Sequence, residues 1–260
     1  MKNGYRGLSK DEIYLISRAE FEKQKLITTA FVQKVFVDKN KAARVLVYLK
    51  RKGRILSIEK GKYLLVPLKA PNQRWMPNEF VAASLWMGNT TYYIGYISAY
   101  NYWGFTDQIP QTVFVLNTQK GLKKMIGIVA YSAVKISPKK IYGLQRINID
   151  DETVFISDKE RTLVDFIYKP MGSWANVENL IKEQLKEINV EKLIRYLVRF
   201  PVVSVRKRAG LMLQRLGVSR GKLLPLQNSI GKQNAYIVFN PFNRSRKGKV
   251  NREWKVIING

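Results

Sequence analysis

Five carboxylates, Asp107, Glu152, Asp158, Glu160 and Asp165, are the side chains of this sequence that could gather a divalent cation and activate water against a phosphodiester. They do not fall into the pattern that such chemistry needs. No Asp is followed by Glu-x-Lys on paired strands, and Asp158 and Glu160 stand where the positive end of a helix attracts acids in any case. We therefore read the five as structural, and a metal-dependent nuclease as the weakest of the functional alternatives. The chain has no Cys and no His. Thiolate nucleophiles, imidazole bases, disulfides and nearly all zinc sites are thereby excluded. The phosphate-cradling patterns GxGxxG and GxxxxGK[ST] are absent too. The expectation is a protein that is not an enzyme, with no catalytic residues, no metal and no cofactor.

The cations point elsewhere. Lys and Arg number 46 against 19 Asp and Glu, a net charge of +27. A field of that size favours polyanions, and nucleic acid is the leading partner class. The excess is uneven: residues 1–69 carry +11, residues 70–170 only +3, and residues 171–260 carry +13. A nearly neutral middle between two basic ends suggests two basic surfaces. No apolar stretch approaches the roughly 18 residues of a spanning helix, and the start MKNGYRGLSKDE lacks a signal-peptide core. A cytoplasmic protein with no membrane partner is expected.

The elements that would position the N-terminal cations can be placed in order. Ser9 with Glu12 three residues later fits a capping box, opening a first helix from about Lys10 to Lys25. Thr28 or Thr29 can cap a short second helix carrying Phe31, Val32 and Val35 inward. Asp38 caps a third, from Lys39 to about Lys52, which Gly53 ends. At 100° per residue, Ala42, Val45, Leu46 and Leu49 of that helix share one side. Asn40, Arg44, Val47 and Arg51 share the other, flanked by Lys41 and Tyr48. Arg can be bidentate to guanine and Asn to adenine. Two β-prone runs follow, Arg54 to Glu59 and Lys62 to Val66, and Glu59-Lys60-Gly61-Lys62 reads as the turn between them. Three helices and a basic hairpin predict a winged helix-turn-helix. Its expected DNA contacts are Lys39, Asn40, Lys41, Arg44, Tyr48 and Arg51, with Arg54, Lys60 and Lys62 of the hairpin.

The stretch Pro67 to Pro77, with three prolines, reads as a linker. Beyond it come a helix from Asn78 to Met87, a strand at TTYYI, an aromatic-rich helix and a strand at QTVFVLNT. The aromatics, Tyr92 to Phe105, read as core at helical spacing ahead of a base-stacking platform. Further strands are expected near 126–136, at IYGLQRINI and at TVFI, the last two joined by a turn at Asp150 and Asp151. A helix should then run from Asp158 to Tyr168. From Trp174 the pattern is helical, with Val205, Ala209, Met212 and Leu216 as an inward stripe, and it closes with strands at AYIVFNP and EWKVII. The fold class expected is α+β: a winged helix-turn-helix over 1–69, a mixed α/β domain over 70–170, and a helix-rich basic part over 171–260. Arg206, Lys207 and Arg208, with Arg244, Arg246, Lys247, Lys249 and Arg252 of a late loop, form a possible second DNA surface.

Three blocks, YYIGYISAYNYWGFTDQIPQTVFV at 92–115, ISDKERTLVDFIYKP at 156–170 and GKVNREWKVIIN at 248–259, resemble the AbiEi family of antitoxins from abortive-infection systems. That family also carries an N-terminal winged helix, so the resemblance covers nearly the whole chain. It implies a type IV antitoxin that binds inverted repeats in double-stranded operator DNA and represses its own operon. It also implies a functional partner, a nucleotidyltransferase-like toxin, without requiring a stable complex. The extreme positive charge and the absence of His and Cys depart from a typical member. A stand-alone winged-helix regulator with no toxin is the alternative.

Overall fold

The computed structural model describes residues 7–68, 70 and 76–259. Most of the expected linker lies outside the described residues, as does position 69, where the first expected segment was to end. The chain separates into two compact units. The first takes residues 1–89 with 123–131 and 148–153, and the second takes 90–122, 132–147 and 154–260.

In the first unit α1 runs Lys10–Phe21, opened by the expected capping box: Ser9 Oγ accepts from the Glu12 amide, and Glu12 Oε2 accepts from the Ser9 amide at 2.6 Å. The helix stops four residues before Lys25. The chain turns at Lys23, whose φ is 53°, and Leu26–Thr28 forms a strand, β1, that sequence periodicity over three residues does not reveal. Thr28 caps α2 (Thr29–Val35), and Asp38 caps α3 (Lys39–Arg51) by accepting from the amides of Asn40 and Lys41. Each such cap contributes about 1 kcal/mol. Gly53 at φ 66° releases the chain into β2 (Ile55–Glu59) and β3 (Lys62–Leu65). The three strands form one sheet in the order β1-β3-β2, with Leu26 opposite Leu64 and Leu56 opposite Leu64 on its other side. The predicted stripe Ala42, Val45, Leu46 and Leu49 is buried against Leu15, Ile16, Ile27, Val32 and Ile55. Burial of each Val, Leu or Ile among them is worth about 1.5 to 3 kcal/mol, which holds α3 with its opposite face outward. Helix α4 (Glu79–Met87), expected from Asn78, is capped by that residue and completes the helices of this unit.

A six-stranded sheet carries the middle of the chain, in the order β6-β7-β5-β4-β9-β8. Its strands are β4 (Tyr92–Ile94), β5 (Thr112–Asn117), β6 (Leu122–Ile126), β7 (Val129–Lys135), β8 (Leu144–Ile149) and β9 (Glu152–Ser157). β4 is antiparallel to β5 and parallel to β9. The β8–β9 turn is at Asp150 and Asp151, both at positive φ, as Asp tolerates better than most residues. The short helix α5 (Ile97–Tyr102) follows β4, and α6 (Lys159–Tyr168) follows β9. Then come α7 (Trp174–Gln184), α8 (Val190–Arg199), α9 (Val203–Arg215) and α10 (Arg220–Ile230). A small sheet closes the chain: β10 (Ile237–Val238), β11 (Lys249–Asn251) and β12 (Val256–Ile258), in the order β10-β12-β11. The expected break at residues 170 and 171 falls inside one core. Tyr100, Leu163 and Phe166 share it with Leu197, Met212 and Trp254. Of the aromatics expected as core, Tyr92, Tyr93, Tyr100 and Phe105 are buried and Tyr96 and Trp103 are partly buried, whereas Tyr102 is exposed. Altogether this is an α+β protein, and no helix among the described residues is long and apolar enough to cross a membrane.

Candidate nucleic-acid interface

The outward face of α3 is assembled as its periodicity predicts. Asn40, Arg44 and Arg51 are exposed, and Val47 and Tyr48 are each nearly half exposed, at 47% and 48%. Lys39 stands at the first position of the helix and is exposed. The hairpin is fixed beside this helix: the Arg54 amide donates to Leu49 O at 2.8 Å, and the Thr29 amide donates to Gly61 O at 2.9 Å. Gly61, at φ 75°, allows the tight tip that lifts Lys60 and Lys62 into solvent.

The nine predicted residues divide by what already engages them. Lys41 is paired with Asp11 at 2.9 Å and lies over the Phe36 ring, and Lys62 is paired with Glu59 at 3.2 Å. Arg54 is half-buried at the base of the hairpin, donating to Pro67 O, so its guanidinium is not at the tip. Lys39, Arg44, Arg51 and Lys60 have no acidic partner within ion-pair distance among the described residues. Exposed cations lacking a counter-charge are those that can exchange condensed counterions for phosphates. Two residues that sequence reasoning passed over join this surface. Lys50 is exposed in the last turn of α3. Val37, just before the Asp38 cap, is 95% exposed. An apolar residue adjoining a cap with no place in the helical stripe was the available signal, and such a side chain fits a thymine methyl.

The second predicted group of cations also divides by what engages it. Lys207 is buried, its ammonium donating to Gln233 O at 3.1 Å and Ala235 O at 2.5 Å. Burial pushes it below the ordinary lysine range. Arg206 donates to Ser229 O and Arg208 to Val238 O. These hydrogen bonds tie α9 to the end of α10 and to the chain that follows it, and engage all three cations within the protein. The inward stripe of α9 forms as predicted, with Val205, Ala209 and Met212 buried and Leu216 packed against the same core, but Leu211 and Leu213 are buried as well, and the cations off the stripe meet backbone carbonyls. Arg244, Arg246, Lys247, Lys249 and Arg252 are exposed as expected, although Arg246 also donates to Tyr236 O.

The acids are each occupied or isolated. Asp165 is fully buried and paired with Arg161 at 2.6 Å. The Arg161 guanidinium also donates to Tyr93 Oη at 2.9 Å and Lys140 O, and lies between the rings of Tyr93, Tyr142 and Phe200. Burial pushes the Asp165 carboxyl upward against the pull of that guanidinium. Asp158 caps α6 and accepts from Tyr196 Oη at 2.9 Å. Glu160 is bound by Lys192 at 2.8 Å and by the Asn189 amide. Burial raises Glu160, but those hydrogen bonds outweigh it and hold the carboxyl below its usual range. Glu152 pairs with Lys25, and Asp107 is exposed. No group of three or more acids among the described residues could hold a metal ion.

The sequence matches no family model and no curated protein sequence. Among solved structures, that of the RV2827C protein from Mycobacterium tuberculosis superposes on this one with a TM-score of 0.64, over 97% of this chain and 92% of that chain. With sequence identity at 14%, the similarity is one of fold: this chain and the RV2827C protein share an α+β architecture along nearly their whole lengths.

Proposed function

We propose that the first unit is a winged helix-turn-helix that binds double-stranded DNA, with α3 as the recognition helix and the β2–β3 hairpin as the wing. The observation that carries this reading is the outward face of α3. It presents Asn40, Arg44 and Arg51 on a helix whose opposite side is locked into a core, and Lys60 rises from the adjoining hairpin. The order α1, β1, α2, α3, β2, β3 with a β1-β3-β2 sheet supports this reading, because it sets a hairpin directly after the helix that would enter the major groove. The blocks resembling AbiEi antitoxins extend the reading: a cytoplasmic antitoxin that represses its own operon and opposes a nucleotidyltransferase-like toxin, with no catalysis of its own.

Arg44→Ala tests the recognition helix. On the DNA upstream of its own gene it is expected to lose on the order of 1 to 3 kcal/mol and to relax sequence preference, whereas Lys60→Ala weakens all sequences alike. Equal loss on operator and random duplex from Arg44→Ala would remove α3 from sequence readout. Co-expression with the neighbouring gene tests the antitoxin role. Growth is restored if the reading holds, and a toxic neighbour that this chain fails to silence counts against it.

A further inference from the structure

From residue 192 to the end, the chain carries sixteen Lys and Arg and one acid, Glu253. That acid is already held, by Gln214 at 2.9 Å and Arg220 at 3.5 Å. Exposed cations gather around β11: Arg244 and Lys247 in the loop before it, Lys249 on it and Arg252 just after it. β11 is an edge strand of its sheet. Beside it lies a groove of about 380 Å³ between β11 and the end of α9. Leu211, Val250 and Ile258 give the groove apolar walls, and Arg215 and Lys249 stand on it as cations. Phe242, 55% exposed, precedes the basic run.

We propose that this groove and loop bind single-stranded nucleic acid, an unpaired base seating against Val250 and Leu211 while Lys249, Arg244 and Lys247 take the flanking phosphates. The charge names the partner class, because a polyanion is what a loop without acids attracts. The groove narrows it to single strands. An apolar recess can take the face of a base only when that base is free of its stack, and exposed aromatic and guanidinium planes such as Phe242 and Arg244 offer further stacking surface. A duplex shows this loop only its phosphates. The inference is independent of the α3 reading, since every residue in it belongs to the second unit.

The test uses the whole chain with Lys39, Arg44, Arg51 and Lys60 changed to Ala, so that the first unit contributes little. Fluorescence anisotropy is read with oligouridine and oligothymidine of about fifteen nucleotides, matched to the site sizes of single-strand binders, and with a paired duplex of equal length. Binding of either single strand in preference to the duplex is expected, and the two polymers identify whether RNA, DNA or both is the source. Adding Arg244→Ala, Lys247→Ala and Lys249→Ala should reduce the log–log salt slope by about 2, at roughly 0.7 per phosphate, which is a loss of about a hundredfold at about 0.1 M relative to 1 M salt. Val250→Trp, which fills the groove from an exposed position, should weaken base-bearing strands and leave an abasic strand unchanged. Equal affinity for duplex and single strand, an unchanged slope, or indifference of base-bearing strands to Val250→Trp would each overturn the proposal.

Discussion

Replacing Asp165 with Ala should cost the second unit about 3 to 5 kcal/mol. The Arg161 guanidinium has no exposed surface, and its ion pair with Asp165 is its one opposite charge among the described residues. Without that carboxylate the cation keeps only the Tyr93 hydroxyl, the Lys140 carbonyl and the faces of three rings. Removing one partner of a buried pair leaves an uncompensated charge, and that penalty sets the magnitude. It is a large share of the about 5 to 15 kcal/mol by which a domain is stable. With a urea slope of about 3 kcal/mol/M for a unit of this size, the midpoint should fall by about 1 to 1.7 M. Tryptophan fluorescence reads this unit through Trp103, Trp174 and Trp254, the last two buried. Changing both partners, Arg161→Met with Asp165→Leu, should recover most of the loss, because apolar replacement of a whole buried pair is often neutral. An Asp165→Ala midpoint within about 0.3 M of the parent, or a double variant less stable than the single one, would refute the assignment of this cluster to stability.

Glu12 is 1% exposed in the first unit. Burial raises its pKa, but the Lys52 hydrogen bond at 2.6 Å and the Ser9 amide outweigh that, so its folded value lies below the ordinary 4.5. A carboxyl depressed in this way stabilises above about pH 4.5 and loses its contribution as pH falls through the folded value. Glu12→Gln should therefore lower thermal stability at pH 7 and flatten its decline below pH 4.5; an unchanged acid limb contradicts this. At Gly210, inside α9, an added Cβ would overlap the ring of buried Trp254. Overpacking of about 1 to 3 kcal/mol should exceed the helix propensity of about 1 that Ala brings, so a higher melting temperature for Gly210→Ala would be evidence against this packing. Lys207→Met should cost about 1 to 3 kcal/mol by leaving the carbonyls of Gln233 and Ala235 without their donor. Its affinity for any nucleic acid should equal that of the parent; weaker binding at unchanged stability would return Lys207 to a contact surface.

Signals that are short-range were readable. The caps at Ser9, Thr28 and Asp38 need only a side chain and an amide two or three residues away, and all three form. The α3 stripe needs only a period. What was missed depends on partners distant in sequence. β1 is three residues long and exists because β3, some 36 residues later, pairs with it. Arg206, Lys207 and Arg208 read as a basic run because charge is visible in a sequence, whereas the carbonyls of Ser229, Gln233, Ala235 and Val238 that take their hydrogen bonds are not. Asp165 reads in the sequence only as a structural acid, with no partner assigned to it or to Arg161. Their burial follows from Tyr93, Tyr142 and Phe200, which come from three other parts of the chain. The block ISDKERTLVDFIYKP, which carries much of the resemblance, is in this structure a set of internal anchors.

The salt dependence of operator binding tests the central claim most directly. Binding of the DNA upstream of its gene should weaken with a log–log slope of about −0.9 for each phosphate contacted. With Lys39, Arg44, Arg51 and Lys60 all changed to Ala, the slope should shrink by about 3 to 4. A complex indifferent to salt, or a quadruple variant with the parent's slope, would contradict DNA recognition through α3 and its hairpin.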